Sequence, residues 1–130
     1  MADLAMGFDF GSSKIGVSIG QGLTSTATAL TIIRAQDGIP DWDALDKLVS
    51  EWQPKVFVVG LPLNMDDTMS DMAKAATRFS RRLNGRYHIR AEMMDERLST
   101  FEAKEFSGQV DAIAAKLILE TWLNREETFD

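Results

Sequence analysis

The 130 residues contain no cysteine, a single histidine, a single tyrosine and three prolines. Without cysteine there is no disulfide scaffold, no thiolate nucleophile, no cysteine-ligated zinc and no iron–sulfur cluster. Chemistry built on histidine has only His88 to draw on, and its place between Tyr87 and Ile89 at the start of a β-prone run reads as structural. Long apolar runs are missing too. The longest, "VFVVGLPL" at 56–63, falls far below the roughly 20 residues of a membrane span. The first residues, "MADLAMGFDFG", lack a basic segment followed by an apolar one, so no secretory signal is visible. These absences lead us to expect a cytoplasmic protein with no membrane partner. Repeats, linkers and low-complexity segments are absent as well. With 45% hydrophobic and 26% charged residues, the chain reads as one domain over 1–130.

Acidic residues outnumber basic ones by 20 to 14, a net charge of −6, which on its face argues against a nucleic-acid partner. The distribution qualifies that argument. From Lys74 to Arg97 the seven cations Lys74, Arg78, Arg81, Arg82, Arg86, Arg90 and Arg97 face only Glu92, Asp95 and Glu96. Binding follows the local potential more than the total, so this segment is either a basic surface or simply a solvated helix face.

Three β-prone runs open the chain, at 4–10, 15–20 and 26–33, joined by turn-forming segments such as "GSSK". "QDGIP" then breaks the chain. Asp41 is placed to cap a helix in which Trp42, Leu45, Leu48, Val49 and Trp52 recur at helical spacing until Pro54. "KVFVVGLPL" reads as a strand buried on both faces. A second helix is expected over about 69–83, closed by "NGR", and a fifth strand over 88–95. Ser99 with Glu102 forms a capping-box pattern, and an apolar helix runs from about Asp111 to Leu123. The order β-β-β-α-β-α-β-α predicts an α/β fold with one mixed five-stranded sheet and helices on its faces.

Three carboxylates stand out. Asp9 lies inside the apolar run "MGFDFG", where a charge is costly unless paired or bound to a cation; the alternative is a cap for the next turn. The "GSSK" that follows, ending in Lys14, offers small residues and backbone N–H groups to a phosphate, although its spacing is not that of a nucleotide-binding phosphate loop. Asp95 and Glu96 end the last strand, where ligand sites of α/β sheets gather. Neighbouring strand residues point to opposite faces, so one of the two would face a shared site; the alternative is an Asp–Glu–Arg surface turn with Arg97. Asp111 opens the last helix and is also a good N-cap. If the fold brings the three together, their oxygen donors suit Mg²⁺ or Mn²⁺, and two such ions serve phosphodiester hydrolysis without a nucleophilic side chain. The loop "VVGLPLNMDDT" adds Asn64, placed for a phosphate or sugar contact, or else forms an ordinary strand-to-helix connection. The methionines at 65, 69, 72, 93 and 94 read as core filler.

"FDFGSSKIGVSIG", "VVGLPLNMDDT", "DERLST" and "VDAIAAKLILE", in that order, resemble the RuvX/YqgF family of proteins named for pre-16S rRNA processing. The match extends from about residue 5 to residue 123. The resemblance implies an RNase H-like, Holliday-junction-resolvase-like fold and a metal-dependent nuclease that matures the 5′ end of 16S rRNA. By motif it implies catalytic and metal-binding roles for Asp9, Glu96 and Asp111, with Asp95 as a possible additional acid. It implies structured pre-rRNA, and ribosomal precursor particles, as partners of a monomer or weak homodimer. Lys14, Asn64, Arg78, Arg81, Arg82 and Arg97 are the expected nucleic-acid contacts. Two departures stand against the family pattern: only "EAKEFSGQ" separates the "DERLST" helix from the final Asp, where a longer basic segment is usual, and Asp67 replaces a frequent glycine. Other readings are a DNA junction resolvase, a binding module weakened in catalysis by the shortened loop, and, for "DFG-SS", a sugar-kinase or actin phosphate loop, which needs two such domains.

Overall fold

The structure is a computed structural model that describes residues 3–22, 24–61, 66, 69–95 and 112–125. Strand β1 (Leu4–Asp9) pairs antiparallel with β2 (Lys14–Gln21), and β2 pairs antiparallel with β3 (Thr26–Gln36). A two-residue strand β4 (Ile39–Pro40) follows, then helix α1 (Trp42–Trp52), strand β5 (Val56–Leu61), helix α2 (Asp71–Tyr87), strand β6 (Arg90–Asp95) and helix α3 (Ala112–Leu123). The sheet order is β4-β3-β2-β1-β5-β6, with β5 and β6 parallel to β1. The carboxyl ends of β1, β5 and β6 therefore lie along one edge, at Asp9, Leu61 and Asp95.

The expected α/β fold with a mixed sheet is present, the described residues forming six strands in place of five. The added strand comes from the segment read as a chain break. Asp37 and Gly38 both have positive φ, 53° and 82°, and Gln36 pairs with Ile39 across them. That is the two-residue Asp-Gly hairpin, in which positive φ at both positions matches the twist of the flanking strands. The predicted end of the second helix also moves. It runs past Asn84 and Gly85 to Tyr87, and His88 (φ 57°) caps it, its N–H donating to Asn84 O.

The extension of α2 has a visible cause. The Arg86 guanidinium donates two hydrogen bonds to the Asp46 carboxylate on α1, at 2.9 and 2.8 Å, and lies 4.7 Å from the Trp42 ring centroid. The Tyr87 hydroxyl donates to the same carboxylate. Arg86 is thus committed to joining two helices. These hydrogen bonds, Arg86 first and Tyr87 second, lower the Asp46 carboxyl from 3.8 to about 2. A carboxyl depressed in the folded state stabilises above its unfolded value and loses that contribution as pH falls through its folded value. We expect Asp46→Asn to lower the melting temperature at neutral pH. The gap from the parent should close as pH drops from about 4 to about 2; a gap that persists at the acid end would refute the assignment.

The two faces of the sheet carry separate cores. On one, Met6, Phe8, Ile15, Val17, Phe57 and Val59 pack against Leu45 of α1 and Ala76, Phe79 and Leu83 of α2. On the other, Ala5, Ala27, Val56, Val58 and Met94 meet Ile118, Leu119, Trp122 and Leu123 of α3. This division decides which charged residues can share a site.

Candidate active site

Alternation along β1 sends Met6 and Phe8 into the α1/α2 core and leaves Ala5, Gly7 and Asp9 on the α3 side. Asp9 is the last residue of β1 and is only 6% exposed. Helix α3 lies unusually close to this face. A Cβ at Gly7 would come within 2.8 Å of Leu119 Cβ and 3.2 Å of Ala115 O, and one at Gly20 within 3.0 Å of Leu123. Only residues without side chains allow that approach. The buried Ser18 hydroxyl, level with Gly7 in the neighbouring strand, donates to Ala115 O at 2.8 Å.

These contacts fix the direction of α3. Its C-terminal turn sits over Gly20 and its middle over Gly7 and Ser18, so its N-terminus points toward the Asp9 edge. Ala112 lies about 4.5 Å farther along the axis than Ala115, at 1.5 Å per residue. Asp9 lies about 6.7 Å beyond Gly7 along the strand. The start of α3 is therefore brought level with Asp9.

Asp95 reaches the same edge from β6 but on the other face, because Ala91 and Met93 pack with the α1/α2 core and Asp95 shares their parity. Even-numbered β6 residues face α3: Met94 packs there, and Glu92 accepts a hydrogen bond from the Trp122 indole at 3.1 Å. Glu96, Asp111, Asn64 and Arg97 lie outside the described residues. Among the described residues no three His, Asp or Glu side chains gather closely enough to hold a metal ion. Arg78, Arg81 and Arg82 are exposed on α2, and α2 covers the face opposite Asp9.

Lys14 is the first residue of β2, and alternation from Ser18 places it on the Asp9 face. Directly across from it in β3 stands Arg34, which the sequence reading passes over. Twenty positions separate the two cations in the chain, and only the β2/β3 register makes them neighbours. Both are exposed.

Solved structures share this architecture. The chain superposes on Thermus thermophilus RuvC bound to a Holliday junction with a TM-score of 0.56, covering 93% of each chain at 11% identity. A second structure of Thermus thermophilus RuvC gives 0.55 at 9% identity, covering 92% of this chain and 93% of that one. The architecture is thus RNase H-like, of the RuvC kind. The profile of the RuvX family, described as Holliday junction resolvase, matches residues 3–125, and the chain belongs to that family of nucleases. Proteins named "Putative pre-16S rRNA nuclease" are close relatives. The one from Azotobacter vinelandii is 50% identical, with 92% of each chain covered. Those from Pseudomonas putida and Pseudomonas fluorescens are 50% and 51% identical, over 95% and 93% of this chain and 97% and 92% of theirs. The Azotobacter alignment runs over 131 positions while taking in 92% of 130 residues, about 120, so this chain lacks about eleven positions that the relative has. The short "EAKEFSGQ" between "DERLST" and Asp111 is where such a loss is expected.

Proposed function

We propose that this domain cleaves phosphodiester bonds of pre-16S rRNA, with Asp9, Glu96 and Asp111 as the metal-holding carboxylates. The observation that carries this reading is the position of Asp9. It is buried at the carboxyl end of β1, on the face covered by α3 and level with the start of that helix. Relatives at about 50% identity that bear the rRNA-nuclease name support the substrate. The donor set fits the group the family implies. Carboxylate oxygens with no cysteine and no neighbouring histidine suit a hard cation such as Mg²⁺ or Mn²⁺. When bound, such an ion makes the attacking water nucleophilic and neutralises charge on the leaving oxygen.

The protein's own contribution is to hold Asp9 on a strand that pairs on both sides, and to dock α3 through Gly7 and Ser18. Asp95 lies on the opposite face of the sheet from Asp9, so it is not among the three metal-holding carboxylates. Lys14 supplies a contact near the edge, and Asn64 and Arg97 are further proposed nucleic-acid contacts. Arg78, Arg81 and Arg82 add longer-range attraction for a polyanion from the back of the sheet.

The test is a cleavage assay of purified protein on an rRNA precursor and on a four-way DNA junction, with and without divalent metal. The expected result is metal-dependent cutting of the RNA, abolished by chelation. Preferential cutting of the junction would support the resolvase reading, which the family description and the RuvC-like fold favour. Binding of RNA without turnover would leave a binding module.

A further inference from the structure

In an antiparallel sheet, directly opposed side chains have Cβ atoms about 4.5–5.5 Å apart, and like charges there repel. Lys14 and Arg34 occupy such a pair. Neither forms an ion pair with an acid among the described residues, unlike Arg86 with Asp46 and Arg90 with Glu92. Within the described residues the pair therefore gains no ion-pair stabilisation. Opposed cations that share no carboxylate there are suited to a bound anion.

Their position gives the anion a place. Asp9 pairs with Gly16, and Gly16 with Ile32. Lys14 and Arg34 form the next same-face row outward, toward the edge where β1, β5 and β6 end. From strand spacing and rise, the Lys14 Cα is about 8 Å and the Arg34 Cα about 12 Å from that of Asp9. Both face the side that α3 covers, and both lie beyond the start of that helix.

We infer that Lys14 and Arg34 form a phosphate-binding pair that grips the nucleic-acid backbone beside the Asp9 edge, holding a phosphate next to the one that is cut. The inference rests on the nuclease reading for the identity of the anion. The pair divides the work by chemistry. Arg34 presents a planar fork to two phosphate oxygens, and Lys14 contributes a compact point charge. The three arginines on α2 face away from this strand path and cannot replace them.

The experiment measures binding of a fluorescein-labelled RNA stem-loop with a single-stranded 5′ extension. Asp9→Asn protein is used in Mg²⁺ over a series of salt concentrations, so that cleavage does not interfere. Adding Lys14→Gln and Arg34→Gln is expected to weaken binding at least tenfold. The slope of log affinity against log salt should fall by about 1.4–1.8, since each of the two phosphate contacts contributes about 0.7–0.9. Arg34→Lys should keep most of the slope, and the melting temperature of the double variant should hold or rise, because a repulsion has been relieved. Arg81→Gln with Arg82→Gln, which removes the same charge from the opposite face, should cost clearly less. An unchanged slope, an equal loss from the α2 pair, or a fall in melting temperature with binding intact would each overturn the inference. Cleavage by the parent protein is scored separately: if RNA binds through the pair but is never cut, the nuclease reading fails and the phosphate pair stands.

Discussion

Asp9→Asn should reduce metal-dependent RNA cleavage on the order of 10³-fold, equivalent to about 4 kcal/mol of transition-state stabilisation. Asparagine matches aspartate in shape and keeps one oxygen, but it carries no charge. A divalent ion held by three carboxylates would lose a third of its counter-charge and one strong ligand. The fold should survive the change, because Asp9 is nearly buried and a neutral amide there removes the cost of desolvating a charge. The two effects can be measured apart. Mg²⁺ should raise the melting temperature of the parent protein by the mass-action stabilisation expected of a ligand that binds only the native state. It should have much less effect on the variant. Cleavage within a few-fold of the parent would remove Asp9 from the mechanism; lost cleavage with an unaltered Mg²⁺ response would leave it a role other than metal binding.

Asp9 was legible in the sequence because a carboxylate within "MGFDFG" is anomalous in any fold. The Asp41 cap was legible for a similar reason, and its carboxylate does accept from Ala44 N. Features that depend on pairing were not. The Asp-Gly hairpin signal was present in "QDGIP", but a strand of two residues has no hydrophobic pattern to announce it. Local turn chemistry predicts the end of α2 at "NGR", whereas Arg86 and Tyr87 are held helical by Asp46, forty positions earlier. Arg34 is the plainest case. Nothing local distinguishes it from any surface arginine, and its meaning comes from standing opposite Lys14 in a register that the sequence does not display. The choice between Asp95 and Glu96 was posed by strand alternation, and the packing of Ala91 and Met93 gives Asp95 the face away from Asp9.

Gly7→Ala is the second large effect, and it tests how the sheet positions α3. The added methyl carbon would lie 2.7 Å from Ser18 Oγ and 2.8 Å from Leu119 Cβ. Rotating the Ser18 hydroxyl away would break its hydrogen bond to Ala115 O. Leu119 Cβ cannot rotate away at all, since it is fixed to the helix backbone. The helix must therefore move off the sheet, and overpacking of this kind costs about 1–3 kcal/mol. For a chain of this length that corresponds to a drop in melting temperature on the order of 5–10 °C. Displacing α3 also moves its first turn, the one level with Asp9. Cleavage and Mg²⁺ response should fall together, by tenfold or more, even at temperatures where the variant is fully folded. Thr26→Ser provides the comparison: it alters an exposed residue at the far end of β3 and should leave stability within about 0.5 kcal/mol of the parent. If Gly7→Ala lowers stability while folded protein cuts RNA and responds to Mg²⁺ like the parent, close docking of α3 serves the core alone. A joint loss makes the glycine on β1 part of the geometry that brings the strand end and the helix start to the same edge.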